Sequence, residues 1–294
     1  MERRRFGKTG MMVSPLGFGG SEIGGSRVAG ETVDALLNAA LDAGLNVVDT
    51  AECYGDSEEK IGRAIGSRRD EFFLFTKCGH ASGVAGEDWD PAVLAATIER
   101  SLVRLKTDCV DLIQLHSCSK ELLQSGGVIE PLVRAKEAGK TRFIGYSGDG
   151  ENARWAIESG VFDTLQTSVN IADQEAIDLL LPLAQKKEMG VIAKRPIANV
   201  AWTYEPTPGD YGYEYGQRFK KLAFPHLEEA DAVAQTLRFC LACPGVGTAI
   251  VGTTNPGRWA ENAGLLESAI DPQLFEAIRM RWRERATADW NGQT

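Results

Sequence analysis

No window of the 294-residue sequence approaches the roughly 18 uninterrupted apolar residues that a helical membrane span requires. The basic start "MERRRFGKTG" leads into no apolar core segment, so a secretory leader is not expected and the cytoplasm is the default location. Positive charge is in short supply: 32 Lys and Arg face 41 Asp and Glu, a net charge of −9. Such a surface repels phosphate backbones on average, so neither nucleic acid nor an anionic membrane is an expected partner, although a local basic pocket is compatible with it. Cysteine is also sparse. Cys53, Cys78, Cys109, Cys118, Cys240 and Cys243 are scattered in a way that suits reduced thiols better than a disulfide framework. Cys240 and Cys243 form a lone C-x-x-C with no second pair and no nearby His, and are read as packing thiols near a helix end; no metal site is expected. Low-complexity segments and linkers are missing too, so residues 1–294 are read as one domain.

What is present, 43% hydrophobic and 25% charged residues, is the composition of a globular chain able to bury a large core. Short runs rich in Val, Ile, Leu and Phe alternate with segments of helical period, the pattern of βαβ units. Strands are expected at 15–19, 46–50, 72–77, 110–116, 141–147, 162–168, 190–195 and 247–252. Helices are expected at 31–43, 57–66, 91–106, 127–138, 151–159, 174–187, 228–242 and 256–266, with an extra one at 271–285. Strands apolar enough to be covered on both faces favour a closed (β/α)8 TIM barrel over an open doubly wound sheet. A dinucleotide fingerprint is wanting: the glycines of "GFGGSEIGG" precede the first helix by several residues, and no acidic residue ends the next strand in the ribose-binding role. A hairpin-like N-terminal segment, a large aromatic-rich loop at 196–227 after strand seven and a C-terminal helix and tail at 267–294 complete the expected architecture.

In such a barrel the chemistry lies at the C-terminal ends of the strands. Asp49 ends strand two, Tyr54 follows in its loop, Lys77 ends strand three and His116 ends strand four. Each has a plain structural alternative: a loop cap, a packing ring, a surface charge, a hydrogen-bonded core histidine. Together at one mouth they suit proton donation to a carbonyl. A free tyrosine, with a pKa of about 10, is a poor acid near neutrality. An ammonium about 4 Å away is worth on the order of 4 kcal/mol toward phenolate, so Lys77 is expected to tune Tyr54, and Asp49 to hold Lys77 charged.

With "FGKTGMMVSPLGFGG", "DTAECYG", "FTKCG" and "LIQLHS" in this order, the chain resembles the aldo-keto reductases over nearly its whole length. The resemblance implies NADPH-dependent reduction of an aldehyde or ketone, with Tyr54 as proton donor, Asp49 and Lys77 as its tuning pair and His116 orienting the carbonyl. It implies cofactor contacts from Gly20, Ser147, Gln166, Lys194, Arg195, Gly252, Thr253, Arg258, Glu261 and Asn262. Arg258 is the reason to expect NADPH ahead of NADH, since a guanidinium forks a phosphate well. Three positions depart from the pattern: Gly252 stands where relatives carry lysine, Gly148 where asparagine is usual, and Lys194 or Arg195 where an aromatic ring stacks on the nicotinamide. Asn170 is read as a polar loop residue. Trp89 and Trp202 are expected to wall the substrate pocket, with Tyr204, Tyr211, Tyr213 and Tyr215 crowding the insertion. Relatives are mostly monomers, so a monomer is expected. Two other classes fit the same residues: a nicotinamide-binding regulatory subunit with slow turnover, and a Schiff-base lyase with Lys77 as nucleophile.

Overall fold

The computed structural model describes residues 2–25 and 28–293. Its N-terminal segment is a hairpin in which β1 (Arg4–Arg5) pairs antiparallel with β2 (Met12–Val13). Eight parallel strands follow in chain order and close on themselves, β3 (Leu16–Gly19), β4 (Val47–Asp49), β5 (Phe73–Cys78), β6 (Val110–His116), β7 (Thr141–Ser147), β8 (Thr164–Ser168), β9 (Gly190–Lys194) and β10 (Val246–Val251). This is the expected (β/α)8 barrel, with every expected strand in place.

Side-chain parity along the strands explains why the barrel has two kinds of interior. Val47, Phe75, Leu112 and Ile192 point inward at its lower end and pack with Phe6, Met11 and Val13 of the hairpin, which plugs the bottom. Phe6 is fully buried, stacked on Phe75 with centroids 5.8 Å apart, and burial of such a ring is worth about 1.5–3 kcal/mol. Room for it comes from Gly190 and Gly247, where an added Cβ would lie 2.6 and 2.8 Å from the Phe6 ring. One pleat further up, the inward positions become polar: Asp49, Lys77, Gln114 and Gln166. The register pairs Asp49 with Phe75, Lys77 with Gln114, and Ser147 with Gln166. The larger core lies outside the strands, under the helices.

Around the barrel run α1 (Gly30–Asp42), α2 (Ser57–Ile65), α3 (Pro91–Leu105), α4 (Lys120–Ser125), α5 (Glu130–Glu137), α6 (Gly150–Ser159), α7 (Glu175–Leu179) and α8 (Leu181–Lys186). They are followed by α9 (Tyr213–Leu222), α10 (Ala232–Ala242), α11 (Arg258–Gly264) and α12 (Pro272–Arg285). Pro91 sits in the first turn of α3 behind an Asp90 N-cap whose carboxylate accepts from the Ala92 amide at 2.7 Å.

Three stretches differ from the sequence reading. The single helix expected at 174–187 is two, because Pro182 has no N–H to offer the Asp178 carbonyl and its ring crowds that turn. Ahead of α5 lies α4, opened by Ser119 as N-cap and closed by Gly126 in the left-handed region. The segment 196–227, read as loop, contains α9, which buries Tyr215, Phe219 and Leu222 on one face. Among the described residues, no helix is long and apolar enough to cross a membrane.

Candidate active site

Asp49 is almost fully buried, and both of its oxygens are engaged. Lys77 Nζ donates to Oδ1 at 2.5 Å, while Gln114 and Gln166 donate to Oδ2 at 3.0 and 2.9 Å. The Lys77 ammonium also donates to the Thr50 carbonyl at 2.8 Å. Burial works against its charge, but Asp49 and Tyr54 outweigh that and hold its pKa above the ordinary lysine value. Lys77 is therefore held as a cation between Asp49 and the Thr50 carbonyl.

Tyr54 and His116 lie above this pair, half-buried at the mouth. Lys77 Nζ sits 5.1 Å from the centre of the Tyr54 ring, and the ring meets His116 edge-on at 6.0 Å. Lys77 does pull the phenol's pKa down, as expected, but it does not set the net direction. Burial pushes Tyr54 up, the Lys77 ammonium pulls it down, Asp49 pushes it up again, and the sum lies above the ordinary phenol value. Burial, followed by Lys77, holds His116 well below the ordinary histidine range, so its ring is neutral.

Trp89 is fixed beside this group, its indole N–H donating to the His116 carbonyl at 2.9 Å. Its backbone has φ of 60°, in the left-handed region that an aromatic residue enters only under constraint. Trp202 meets Phe219 edge-on at 5.3 Å within the insertion. From the insertion, Tyr211 packs on Arg195, its ring 4.7 Å from the guanidinium and its hydroxyl accepting from Arg195 Nε at 2.9 Å.

Neither of the basic residues at the end of β9, Lys194 and Arg195, is free. Lys194 pairs with Asp149 at 2.7 Å, and burial lowers its pKa despite that partner. Arg195 also donates to Ser168 and to the Gln293 carbonyl of the C-terminal tail. Asn170, buried, secures this turn by donating to the Arg195 carbonyl at 3.0 Å.

At the end of β7, Ser147 Oγ donates to Gln166 Oε1 at 3.0 Å. Gly148 has a local reason for being glycine: an added Cβ would lie 2.6–2.9 Å from the Tyr146 ring, which is anchored by its hydroxyl to the Cys118 carbonyl at 2.6 Å. Gly20 likewise answers to packing, its amide donating to the Asp49 carbonyl and its carbonyl accepting from Ser57 Oγ, both at 2.8 Å. After β10, the Glu22 carboxylate fills the space that a side chain at Gly252 would enter. Thr253 Oγ1 accepts from the Asn255 amide at 3.1 Å. Arg258 and Glu261, both exposed, pair at 3.1 Å, whereas Asn262 is buried with its Nδ2 lacking an acceptor.

Three residues of this mouth, Gln114, Asp149 and His80, went unread in the sequence, and Cys53 was read only as a structural thiol. Gln114 lies two positions before His116 on the same strand face, and Asp149 lies two beyond Ser147, so strand parity was signal enough. His80 and Cys53 needed the fold: the His80 ring packs 5.2 Å from His116, and Cys53 Sγ lies 3.6 Å from His116 Nδ1.

The arrangement can be set beside known proteins. Residues 15–282 match the model of the aldo/keto reductase family. The chain is 27% identical over 280 residues to an uncharacterized oxidoreductase, YqkF, of Bacillus subtilis, covering 89% of this chain and 90% of that protein. Among solved structures it resembles the holo form of aldo-keto reductase AKR11C1 from Bacillus halodurans, with a TM-score of 0.83 and 25% identity, over 98% of this chain and 99% of that one. It also resembles an aldo-keto reductase from Klebsiella pneumoniae in complex with NADPH, with a TM-score of 0.75 and 25% identity, over 98% and 96% of the two chains. The chain belongs to the aldo/keto reductase family and is an NAD(P)H-dependent oxidoreductase.

Proposed function

We propose that the protein reduces aldehydes or ketones to alcohols with NADPH, the proton coming from Tyr54. The observation that carries this reading is the meeting of a protonated phenol, a locked ammonium and a neutral imidazole at one barrel mouth. Because burial raises the Tyr54 pKa, the hydroxyl keeps its proton throughout the physiological range and is present as a donor. Its conjugate phenolate, formed as the proton moves to the carbonyl oxygen, faces the Lys77 ammonium. At about 5 Å and an effective dielectric near 20 that attraction is worth about 3 kcal/mol, and it acts only once the charge has developed. The neutral His116 ring has one N–H to offer, which would orient the carbonyl oxygen toward Tyr54.

The nicotinamide cofactor supplies the hydride when bound. The residues present fit such a group. Asn262 carries a buried donor with no protein acceptor, and Arg258 stands in the first turn of a helix at the rim, open to water and able to fork a phosphate. Ser147 and Gln166 would hold the carboxamide, and Thr253 and Glu261 would meet the adenosine. The NADPH-bound Klebsiella pneumoniae relative supports the same choice of cofactor.

A Schiff-base role for Lys77 fits poorly, because a nucleophilic amine must be free of its proton and this one is held by Asp49 and Thr50. Absorbance of NADPH at fixed protein, read against aldehydes, ketones and diketones, tests the proposal. Carbonyl-dependent loss of NADPH absorbance is expected; borohydride trapping of a carbonyl on Lys77 without that loss would overturn it.

A further inference from the structure

Beside the Tyr54 phenol three soft or borderline donors converge from the ends of three consecutive strands: Cys53 after β4, His80 after β5 and His116 closing β6. One ligating atom from each lies within 4.8 Å of the others, and each residue is half-buried, reachable from solvent. We propose that Cys53, His80 and His116 form a binding site for a thiophilic divalent cation, Zn2+ above all, at the mouth of the barrel.

Four observations carry it. Tetrahedral zinc, with bonds of about 2.0–2.3 Å to nitrogen and sulfur, sets its ligand atoms about 3.3–3.8 Å apart. Cys53 Sγ and His116 Nδ1 already stand 3.6 Å apart, and the remaining separations are no more than 4.8 Å, about 1 Å beyond the zinc spacing. His80 is oriented as metal-binding histidines are: its Nδ1 meets the Asp88 carboxylate at 2.8 Å, leaving Nε2 to ligate. Both supporting loops are tied down. The Asp88 carboxylate also accepts from the Ala81 amide at 2.8 Å, and Glu52, the neighbour of Cys53, accepts from the His80 amide at 3.0 Å. The charge balance is also suitable. Lys77, Lys194 and Arg195 are cations near His116, Lys194 already paired with Asp149; against them, Glu52 is buried with one carboxylate oxygen lacking a partner, and the thiol becomes a thiolate on binding.

The set is unlike a nucleophilic Cys–His pair, since burial and the Glu52 charge push the Cys53 thiol up to about 12 and no free thiolate stands ready. A cation alters that: the S–H bond breaks, its proton leaves to solvent, a metal–sulfur bond forms, and no electrons change hands. Three protein ligands leave a fourth position for water, the pattern of an open zinc site. If the carbonyl reductase reading holds, a cation on His116 withdraws the imidazole from the carbonyl, so the site makes reduction sensitive to zinc.

The test uses the full chain with zinc alone, free of cofactor and carbonyl, in competition with a chromogenic chelator. One zinc per chain is expected. Cys53→Ser and His80→Asn should each weaken binding by about 100-fold or more, and Asp88→Asn, which loses only the outer partner, by about 10–100-fold. Cys109→Ser, remote from the cluster, should leave affinity unchanged. Cobalt in place of zinc should give a thiolate-to-metal charge-transfer band that Cys53→Ser abolishes. Zinc affinity indifferent to both Cys53→Ser and His80→Asn, or a cobalt complex without that band, would overturn the site. Because His80 lies in a surface loop, its variant reports even if the Cys53 variant misfolds. The readings separate cleanly: failure to bind zinc refutes the site and leaves carbonyl reduction standing, while zinc-free protein that reduces no carbonyl refutes the reductase and leaves the site standing.

Discussion

Replacing Lys77 by methionine removes one charge and little volume, so it isolates the electrostatic part of the mechanism. At the 5.1 Å separation between Nζ and the Tyr54 ring, an effective dielectric near 20 gives about 3 kcal/mol of attraction for a phenolate. Each 1.4 kcal/mol is a factor of about ten, so kcat should fall by about two orders of magnitude. The variant also leaves Asp49 buried without its ion pair, although Gln114 and Gln166 still donate to Oδ2. Breaking a buried pair on one side costs about 3–5 kcal/mol of stability, which thermal unfolding would show. The double variant Asp49→Asn, Lys77→Met removes both charges and should recover much of that stability while leaving kcat low. Steady-state kinetics of NADPH oxidation with a saturating aldehyde, beside the NADPH dissociation constant from fluorescence quenching, separates the two effects. A double variant that folds, binds NADPH and keeps kcat within about threefold of the parent would refute the claim that Lys77 stabilises the developing phenolate.

Arg258→Ala should raise the NADPH dissociation constant about tenfold or more and barely move that for NADH, because only the former carries a phosphate for the guanidinium to fork; equal effects in a titration would place the phosphate elsewhere. Gly148→Asn, which restores the residue usual in relatives, should destabilise by about 1–3 kcal/mol in denaturant unfolding, since its Cβ meets the Tyr146 ring; a neutral effect would mean that ring is free to move. Asp173, buried at the tail's docking site, has its carboxyl pushed by burial from 3.8 up to about 7. The unfolded chain releases this proton near the lower value and the folded chain near the higher, so folded stability falls as pH rises through that window, by about 3–4 kcal/mol. Asp173→Asn should flatten that slope in unfolding curves taken between pH 4 and 8, and an unchanged slope would mean that another group sets it.

Much of the fold was legible because the barrel writes itself in local terms: short apolar strands, capped helices and a strict alternation. All eight strands stood where the apolar runs placed them, and the polar residues ending β4, β5 and β6 drew attention by interrupting those runs. Most of what stayed hidden depended on distance in space, with two local exceptions. That Pro182 would split one helix was a local signal passed over, as was the Tyr215, Phe219 and Leu222 stripe that marks α9. No local signal places Tyr211 on Arg195, or sets His80 and Cys53 beside His116, because the partners lie on different loops. Gly148 is similar: only the packed Tyr146 ring explains it. The net direction of the Tyr54 shift, as distinct from the pull of Lys77, was not legible for a physical reason. Proximity of Lys77 can be guessed from neighbouring strands, but the opposing cost of burial is a property of the finished mouth.

The proton donor is the centre of this account, and Tyr54→Phe addresses it with the loss of a single oxygen. NADPH binding followed by fluorescence and carbonyl-dependent NADPH oxidation followed by absorbance, on the same preparation, give the two numbers needed. The NADPH dissociation constant should stay within about threefold of the parent, and turnover should fall by about three orders of magnitude or more. A Tyr54→Phe variant that binds NADPH and reduces the aldehyde at close to the parent rate would contradict it.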